Sequence, residues 1–385
     1  MVRSLSVEIR SIVMCPFYCT KVHQQFIENV YRGTTLEQSL VSFLKKRFPD
    51  ADDVGIEDFQ QIPGGFSRET YSCVAQLTRG GAQERLPLIL RKDPPIEISI
   101  LQTSRAVEHD LIESIRLNTK VPVSQSYGYE LDPKPFGEAA MVIQRMHGNG
   151  NTSDLFNGGP DEDQVDDVVR HLCEVLVELH TSDIATIDPT GALSDPRGVG
   201  IKTTSWDDYI DSTCEYYISS YPSVAFDPSI MVLIDLFQTL RRTKPRALPL
   251  ALVHGDFNPA NFLYENGKVT ALIDWENSRV GDPREDLGWM TTMDLLSNTR
   301  IMDHPRDKGG FLAYYNELTG FNVTAEEINY FNMFGTANIA VPVNSAISRR
   351  LAGEHHQLLH VYLVQSSIPA LQAFSQQMNY PGAAS

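Results

Sequence analysis

One stretch constrains this 385-residue chain more than any other: His254-Gly-Asp-Phe-Asn-Pro-Ala-Asn261, followed by Ala271-Leu-Ile-Asp-Trp275. Asp256 and Asn261 are close enough in sequence for one tight loop to aim both into one pocket. The mostly apolar run from Val269 to Ile273 reads as a strand, and Asp274 ends it. Residues 250–274 are therefore expected as a hairpin carrying two carboxylates and an amide at fixed spacing. A carboxylate to take a proton, with a carboxylate and an amide to hold Mg²⁺, is the set that phosphoryl transfer from ATP requires. Mg²⁺ prefers hard oxygen ligands and usually takes one or two carboxylates besides substrate phosphates. Asp256 is the candidate catalytic base, Asn261 and Asp274 are the candidate metal ligands, and His254 reads as a brace for the loop. A plain hairpin capped by turn-forming Asp and Asn is the alternative, which the joint spacing disfavours.

The length suffices for two lobes and a sizeable core. A formal net charge of −17 argues against nucleic acid as a partner, because phosphate binding needs a basic surface. It is compatible with a cationic substrate and equally with mere solubility. Five scattered cysteines form neither a disulfide framework nor a zinc site, which points to a reducing compartment. Glu8, Arg10 and Ser11 interrupt the N-terminal apolar residues, a poor signal peptide. No run of about 18 apolar residues suggests a membrane span. The expectation is a cytoplasmic protein with no membrane partner; oligomeric state is not legible.

The order of elements suggests the architecture. Residues 1–34 read as an N-terminal extension. A helix is expected from Thr35 to Arg47, then strands at 57–62, 70–77 and 86–91, a helix at 103–118, and strand-like runs near 124–130 and 139–145. This β-rich portion, 35–147, is the expected nucleotide-binding lobe. Residues 148–385 are the expected catalytic and substrate lobe, mainly helical. Its helices are placed at 161–181, 204–221, 228–243, 283–294, 308–318, 324–349 and 354–377, and the hairpin interrupts them. The fold class is α+β, laid out like a kinase, with Gly148-Asn-Gly-Asn-Thr-Ser153 as a hinge or turn.

Nucleotide-side candidates come from the first lobe. Ile62-Pro-Gly-Gly-Phe-Ser-Arg-Glu-Thr-Tyr71 joins two strands, and Gly64, Gly65 and Ser67 would let backbone N–H groups approach phosphate oxygens. Alone, it is also an ordinary hairpin turn. Strand alternation in Leu88-Ile-Leu-Arg-Lys92 lets Arg91 or Lys92, but not both, turn inward to clamp phosphates. Glu108, on the following helix, would orient that cation. The run Met141-Val-Ile-Gln-Arg-Met146 precedes the hinge, and Ile143 and Arg145 would present backbone groups to an adenine. Asp282-Pro-Arg-Glu-Asp286 opens the next helix, with Asp282 suited to its N-cap and Asp286 to bracing the loop.

These residues together resemble the aminoglycoside phosphotransferase (APH) family of kinase-like small-molecule kinases. The matching features are Pro63-Gly-Gly-Phe-Ser-x-x-Thr-Tyr71, Leu90-Arg91, Glu108, Leu179-His180, His254-Gly-Asp-x-x-x-x-Asn261, Ile273-Asp-Trp275 and Gly281-Asp-Pro-x-x-Asp-Leu287. They span about 57 to 290, and the last three motifs are the specific ones. The resemblance implies a two-lobed protein-kinase-like fold using ATP and Mg²⁺, with Asp256 as base and Asn261 and Asp274 on the metal. Arg68 stands where many members have Asn. Arg91 stands where Lys often sits and is similar to the branch of kinase domains associated with acyl-CoA dehydrogenases. Arg and Lys differ in geometry, so nucleotide preference between ATP and GTP is open. The loop reads His-Gly-Asp rather than His-Arg-Asp, Ile-Asp-Trp replaces Asp-Phe-Gly, and no Ala-Pro-Glu follows. A small hydroxylated substrate is therefore expected over a protein: a metabolite such as a hydroxyacyl compound, or an aminoglycoside-like compound. A nucleotide-binding pseudokinase acting as scaffold or sensor is the alternative. In the segment Trp206 to Tyr221, Asp207, Asp208, Asp211 and Glu215 could hold an amino-sugar, and Tyr209, Tyr216, Tyr217 and Tyr221 an acyl group. An amphipathic helix with an acidic outer face explains the same pattern.

Overall fold

The computed structural model describes residues 35–62, 68–95, 103–157, 161–220 and 228–335. The candidates Gly64, Gly65 and Ser67 lie outside them. So do the expected extension 1–34, the expected helix 354–377 and the second half of the one placed at 324–349.

The chain forms two compact units. The smaller comprises the described residues up to Ile56 together with Gln76–Glu84. Helix α1 (Leu36–Arg47) opens it with a reciprocal cap: Gln38 N–H donates to Thr35 Oγ1 at 3.2 Å, and Thr35 N–H donates to Gln38 Oε1 at 3.1 Å. Lys45, Lys46 and Arg47 face the negative end of the helix dipole. Leu40 and Leu44 are fully buried.

The larger unit, Glu57–Ala75 with Arg85 onward, holds every residue of the candidate site described below. The strands are β1 (Asp53–Ile62), β2 (Glu69–Arg79), β3 (Ala82–Lys92), β4 (Ser126–Glu130) and β5 (Ala140–Gln144), in sheet order β1-β2-β3-β5-β4. β5 runs antiparallel to both its neighbours, and Arg91 of β3 faces Met141 of β5. Helix α2 (Arg105–Asn118) starts where Ser104 Oγ accepts the Val107 N–H, and it packs on β4 and β5 through Leu111, Ile112 and Ile115. Each such side chain contributes roughly 1.5–3 kcal/mol of burial free energy.

Helix α3 (Glu162–His180) is the spine of the helical part. Asp161 caps it, and the apolar stripe Val165, Val168, Val169, Leu172, Val175, Leu176 and Leu179 is buried throughout, as its 3.6-residue spacing requires. Helices α4 (Trp206–Ser220) and α5 (Pro228–Arg242) pack on each other. With Tyr330, Phe331 and Phe334, from a helical stretch at 325–335, they enclose a second core. Among the described residues no helix is long and apolar enough to cross a membrane.

The expected hairpin resolves into two ladders. β7 (Phe262–Glu265) and β8 (Lys268–Leu272) form the hairpin itself. β6 (Ala251–Val253) leaves it and pairs with β9 (Arg279–Gly281), a three-residue strand too short to read from sequence. Helices α6 (Arg284–Ser297) and α7 (Phe311–Thr319) follow, α7 against α3. The Gly148 turn is docked on the hairpin: Thr270 Oγ1–H donates to the His147 carbonyl at 2.6 Å, and Asn149 bridges Tyr264. Gly148 has φ +123°, and a Cβ there would sit 2.5 Å from Thr270 Oγ1, so glycine is required. Asp282 sits one residue before the N-cap, which Pro283 occupies, and still accepts the Arg284 N–H at 2.8 Å.

Candidate active site

β6 ends at Val253, and the chain turns sharply through His254-Gly-Asp256. The turn is held from below by one buried carboxylate: Asp286 of α6 accepts the His254 N–H at 2.7 Å and the Gly255 N–H at 2.9 Å. A carboxylate only accepts, so His180 Nε2 carries a proton and donates to Asp286 Oδ2 at 3.1 Å. His180 Nδ1 then accepts from the Tyr315 hydroxyl at 2.9 Å. Burial raises the Asp286 pKa, but His180 and the His254 N–H outweigh it and hold the carboxyl below its usual value. Gly255 has φ +79°, and a Cβ there would meet the Asn277 carbonyl oxygen at 2.2 Å.

His254 is fully buried and faces the hairpin, not the pocket. Its Nε2–H donates to the Ile273 carbonyl at 3.0 Å, and its Nδ1 accepts the Asp256 N–H at 3.3 Å. Burial lowers its pKa, so the ring is neutral and both nitrogens serve the loop backbone.

Asp256 lies at the turn's apex. Its Oδ1 accepts from Asn258 Nδ2 at 2.8 Å and from the indole Nε1 of Trp289 at 2.7 Å; its Oδ2 accepts from Asn261 Nδ2 at 2.8 Å. Burial first, and then the charge of Asp274, push its pKa up to about 7, against the three donors. A carboxylate with that pKa suits proton transfer near neutral pH.

Asn261 also donates to the Asp256 carbonyl at 2.9 Å, so both amide hydrogens are used inside the loop. Its Oδ1 takes no hydrogen bond among the described residues. The Ile273 N–H donates to the Asn261 carbonyl at 3.0 Å, which brings Asp274 to the mouth of the hairpin beside it. Asp274 has φ +68°, unusual for a non-glycine residue. Burial opposes its ionisation, yet Arg91 holds its pKa below the usual carboxylate value. An unengaged amide oxygen and an ionised carboxylate, carried where the two strands of the hairpin open, are ligand types that suit Mg²⁺, whose remaining ligands would come from phosphates and water. Among the described residues no group of three or more His, Cys, Asp and Glu is assembled to hold a metal.

Facing the hairpin is a dense ion network. Arg91 Nη1 donates to Glu108 Oε1 at 3.0 Å and Nη2 to Asp274 Oδ1 at 2.5 Å, with Glu276 at 3.9 Å. Arg105 holds the other Glu108 oxygen at 2.7 Å and Asp93 at 2.8 Å. Arg68 bonds Glu276, Thr103 and Asp93. Alternation places Lys92 on the opposite face of β3, where it pairs with Glu69 at 2.8 Å. Arg91 is therefore the cation that meets Glu108 and the hairpin. Arg91→Lys is expected to lower stability by about 1.5–3 kcal/mol, the cost of one charge-assisted bond, because an ammonium cannot span both carboxylates. Denaturant midpoints of the two proteins check this.

The remaining sequence candidates are placed as follows. Ile143 sits within β5 opposite Ile89, and the Arg145 N–H donates to the Pro87 carbonyl at 2.9 Å. The acids of α4 are met from within the chain: Lys244 pairs with Asp207 at 2.9 Å and with Asp211 at 2.8 Å, Arg241 with Glu215 at 3.1 Å, and Thr204 and Ser205 with Asp208. Tyr209 and Tyr217 are buried, and the Tyr209 hydroxyl donates to Glu285 at 2.5 Å. Sequence reasoning missed Trp289, Glu276, Asp93 and Arg105. Trp289, Glu276 and Arg105 lie on three different elements far from Asp256 and Arg91 in sequence; Asp93 follows Arg91 by two residues, but a lone acid after a strand carries no signal.

The sequence model of the APH phosphotransferase enzyme family matches residues 58–321. Hygromycin-B 4-O-kinase of Escherichia coli is 25% identical over 158 residues, covering 38% of this chain and 45% of that protein. Acyl-CoA dehydrogenase family member 11 of Pongo abelii is 22% identical over 348 residues, covering 84% of this chain and 42% of that protein. The chain thus spans less than half the length of these relatives. A crystal structure of a thermostable mutant of aminoglycoside phosphotransferase APH(4)-Ia, in ternary complex with ADP and hygromycin B, superposes with a TM-score of 0.52 at 17% identity. The match covers 86% of this chain and 97% of that one. At that identity the match establishes the fold: α+β, kinase-like.

Proposed function

From the premise that the chain belongs to the phosphotransferase enzyme family (APH), we propose that it transfers the terminal phosphoryl group of ATP to a hydroxyl of a small molecule. One observation carries this reading. Asp256, its pKa raised to about 7, is tied to Asn261, and Asn261 stands beside the ionised Asp274 at the hairpin mouth. In the reaction the acceptor oxygen bonds the γ-phosphorus as its proton passes to the Asp256 carboxylate. The bond from that phosphorus to the bridging oxygen breaks, and ADP leaves with both electrons. Asn261 Oδ1 and Asp274 are the residues that would hold Mg²⁺, which supplies charge neutralisation at the phosphates. Arg91, steered by Glu108, is assigned to the phosphates. Residues 35–147 form the nucleotide side, with Gly64, Gly65 and Ser67 assigned to the phosphates, and 148–385 the acceptor side; the Ile143 backbone and the Arg145 N–H are engaged within the sheet and leave only the Arg145 carbonyl for an adenine.

The acceptor is a hydroxyacyl metabolite or an aminoglycoside-like compound. The acids of α4 already carry Lys244 and Arg241, which favours the less cationic of the two. The test is ³¹P NMR with ATP, Mg²⁺ and a panel of hydroxylated acyl thioesters and aminoglycosides. A phosphomonoester and ADP should appear together, and both should vanish on chelation of Mg²⁺. Binding of ATP without a phosphomonoester from any acceptor would instead support the pseudokinase reading.

A further inference from the structure

Among the described residues, Trp289 of α6 is the one side-chain donor to the Asp256 carboxylate from outside the catalytic loop. Its indole Nε1–H reaches Asp256 Oδ1 at 2.7 Å, and Asn258 Nδ2 reaches the same oxygen at 2.8 Å. Among the described residues Asn261 alone donates to Oδ2, at 2.8 Å. A carboxylate oxygen offers about two acceptor sites, so Oδ1 is full and Oδ2 keeps one open. An indole can only donate, so this bond points one way. We propose that Trp289 is a positioning residue that saturates Asp256 Oδ1 and thereby makes Oδ2 the oxygen that takes the acceptor's proton. This rests on the reading of Asp256 as the base.

The placement of Trp289 is supported from two sides. One turn earlier on the same helix, Asp286 holds the His254 and Gly255 N–H groups, so α6 fixes both the loop backbone and the orientation of its carboxylate. Behind the indole, Gly288 lets the 325–335 stretch approach closely: a Cβ there would lie 2.8 Å from the Asn332 nitrogen. A Cβ built on Gly335 would lie 3.7 Å from Trp289 Cε3, an ordinary contact. The indole therefore lies beside Gly335 of a neighbouring helix, with room for no more than a methyl group between them. The carboxylate plane is set by α6, whereas Asn258 and Asn261 move with the loop they belong to. A base that rotates about its last torsion would present either oxygen, and misplacement by about 1 Å costs roughly 10²-fold in rate.

Two variants test this: W289F, and the isostere in which benzothienylalanine replaces Trp289, keeping ring size while removing the N–H. The expected result is a fall in kcat of roughly 10–100-fold in both, with KM for nucleotide and acceptor unchanged. A wild-type kcat in the isostere overturns the proposal, as does a loss confined to KM; if W289F fails to fold, the isostere decides. The chain has three tryptophans, and Trp206 and Trp275 donate to Asp282 and to the Leu272 carbonyl. The indole N–H resonance that is absent in W289F should therefore move upfield in Asp256→Ala, and an unmoved resonance would refute the contact. That measurement needs no turnover. Should the wild-type protein transfer no phosphoryl group, the kinase reading fails while the resonance still settles whether Trp289 orients Asp256.

Discussion

Asp256→Ala is expected to lower kcat by about 10²–10⁴-fold, the usual contribution of a positioned general base, with nucleotide affinity retained. Its effect on stability should run the other way. In the fold, burial and Asp274 push the Asp256 pKa up to about 7 from 3.8, so the folded state binds this proton more tightly than the unfolded chain. The resulting stabilisation is complete below the unfolded value and is lost as pH rises through about 7. A shift of this size corresponds to roughly 4 kcal/mol. In metal-free, nucleotide-free protein, removing the carboxylate should therefore stabilise the fold at pH 8 relative to pH 4. Carboxylates with lowered pKa, such as Asp274 and Asp286, contribute the opposite slope, so the quantity to read is the difference between variant and wild type in chemical denaturation across pH. An equal difference at pH 4 and pH 8 would contradict this account of Asp256.

The second large effect falls on Asp286, which never meets a substrate. Asp286→Ala leaves the buried N–H groups of His254 and Gly255 and the ring of His180 without their acceptor. Breaking a buried charged interaction from one side costs about 3–5 kcal/mol, and the turn that carries Asp256 loses its support. Denaturant unfolding should show that loss together with inactivity. The Asp286 pKa is lowered, so its contribution is present above the unfolded carboxylate value and disappears as pH falls through the folded one. Wild type and variant should therefore converge in stability on the acid side of pH 4. A variant of wild-type stability would mean that the turn is held by the β6–β9 ladder alone.

Much of the architecture was legible because it follows short-range periodicity. The stripe of α3 repeats at a spacing that backbone geometry dictates. Alternation along β3 left Arg91 and Lys92 as rivals, and only the pairing of Arg91 with Glu108 and of Lys92 with Glu69 separates them. Of the acids of α4 read as a possible substrate surface, Asp207, Asp211 and Glu215 proved to have Lys244 and Arg241 as partners, 26 to 37 residues away for the hydrogen-bonded pairs. Spacing along one helix carries no information about such partners.

Sequence alone placed Asp256 and Asn261 in one tight turn and Asp274 at the end of the strand that follows, because their spacing along the chain leaves few other arrangements. It also determined that Asp286 opens a helix just downstream. Tertiary structure decided what those side chains experience. Arg91 comes to Asp274 from 183 residues away and keeps it ionised against burial, whereas Trp289 comes to Asp256 from 33 and burial still raises that pKa. The division has a physical cause: the reach of a turn is fixed by covalent geometry, whereas desolvation and charge depend on which distant elements close over the site.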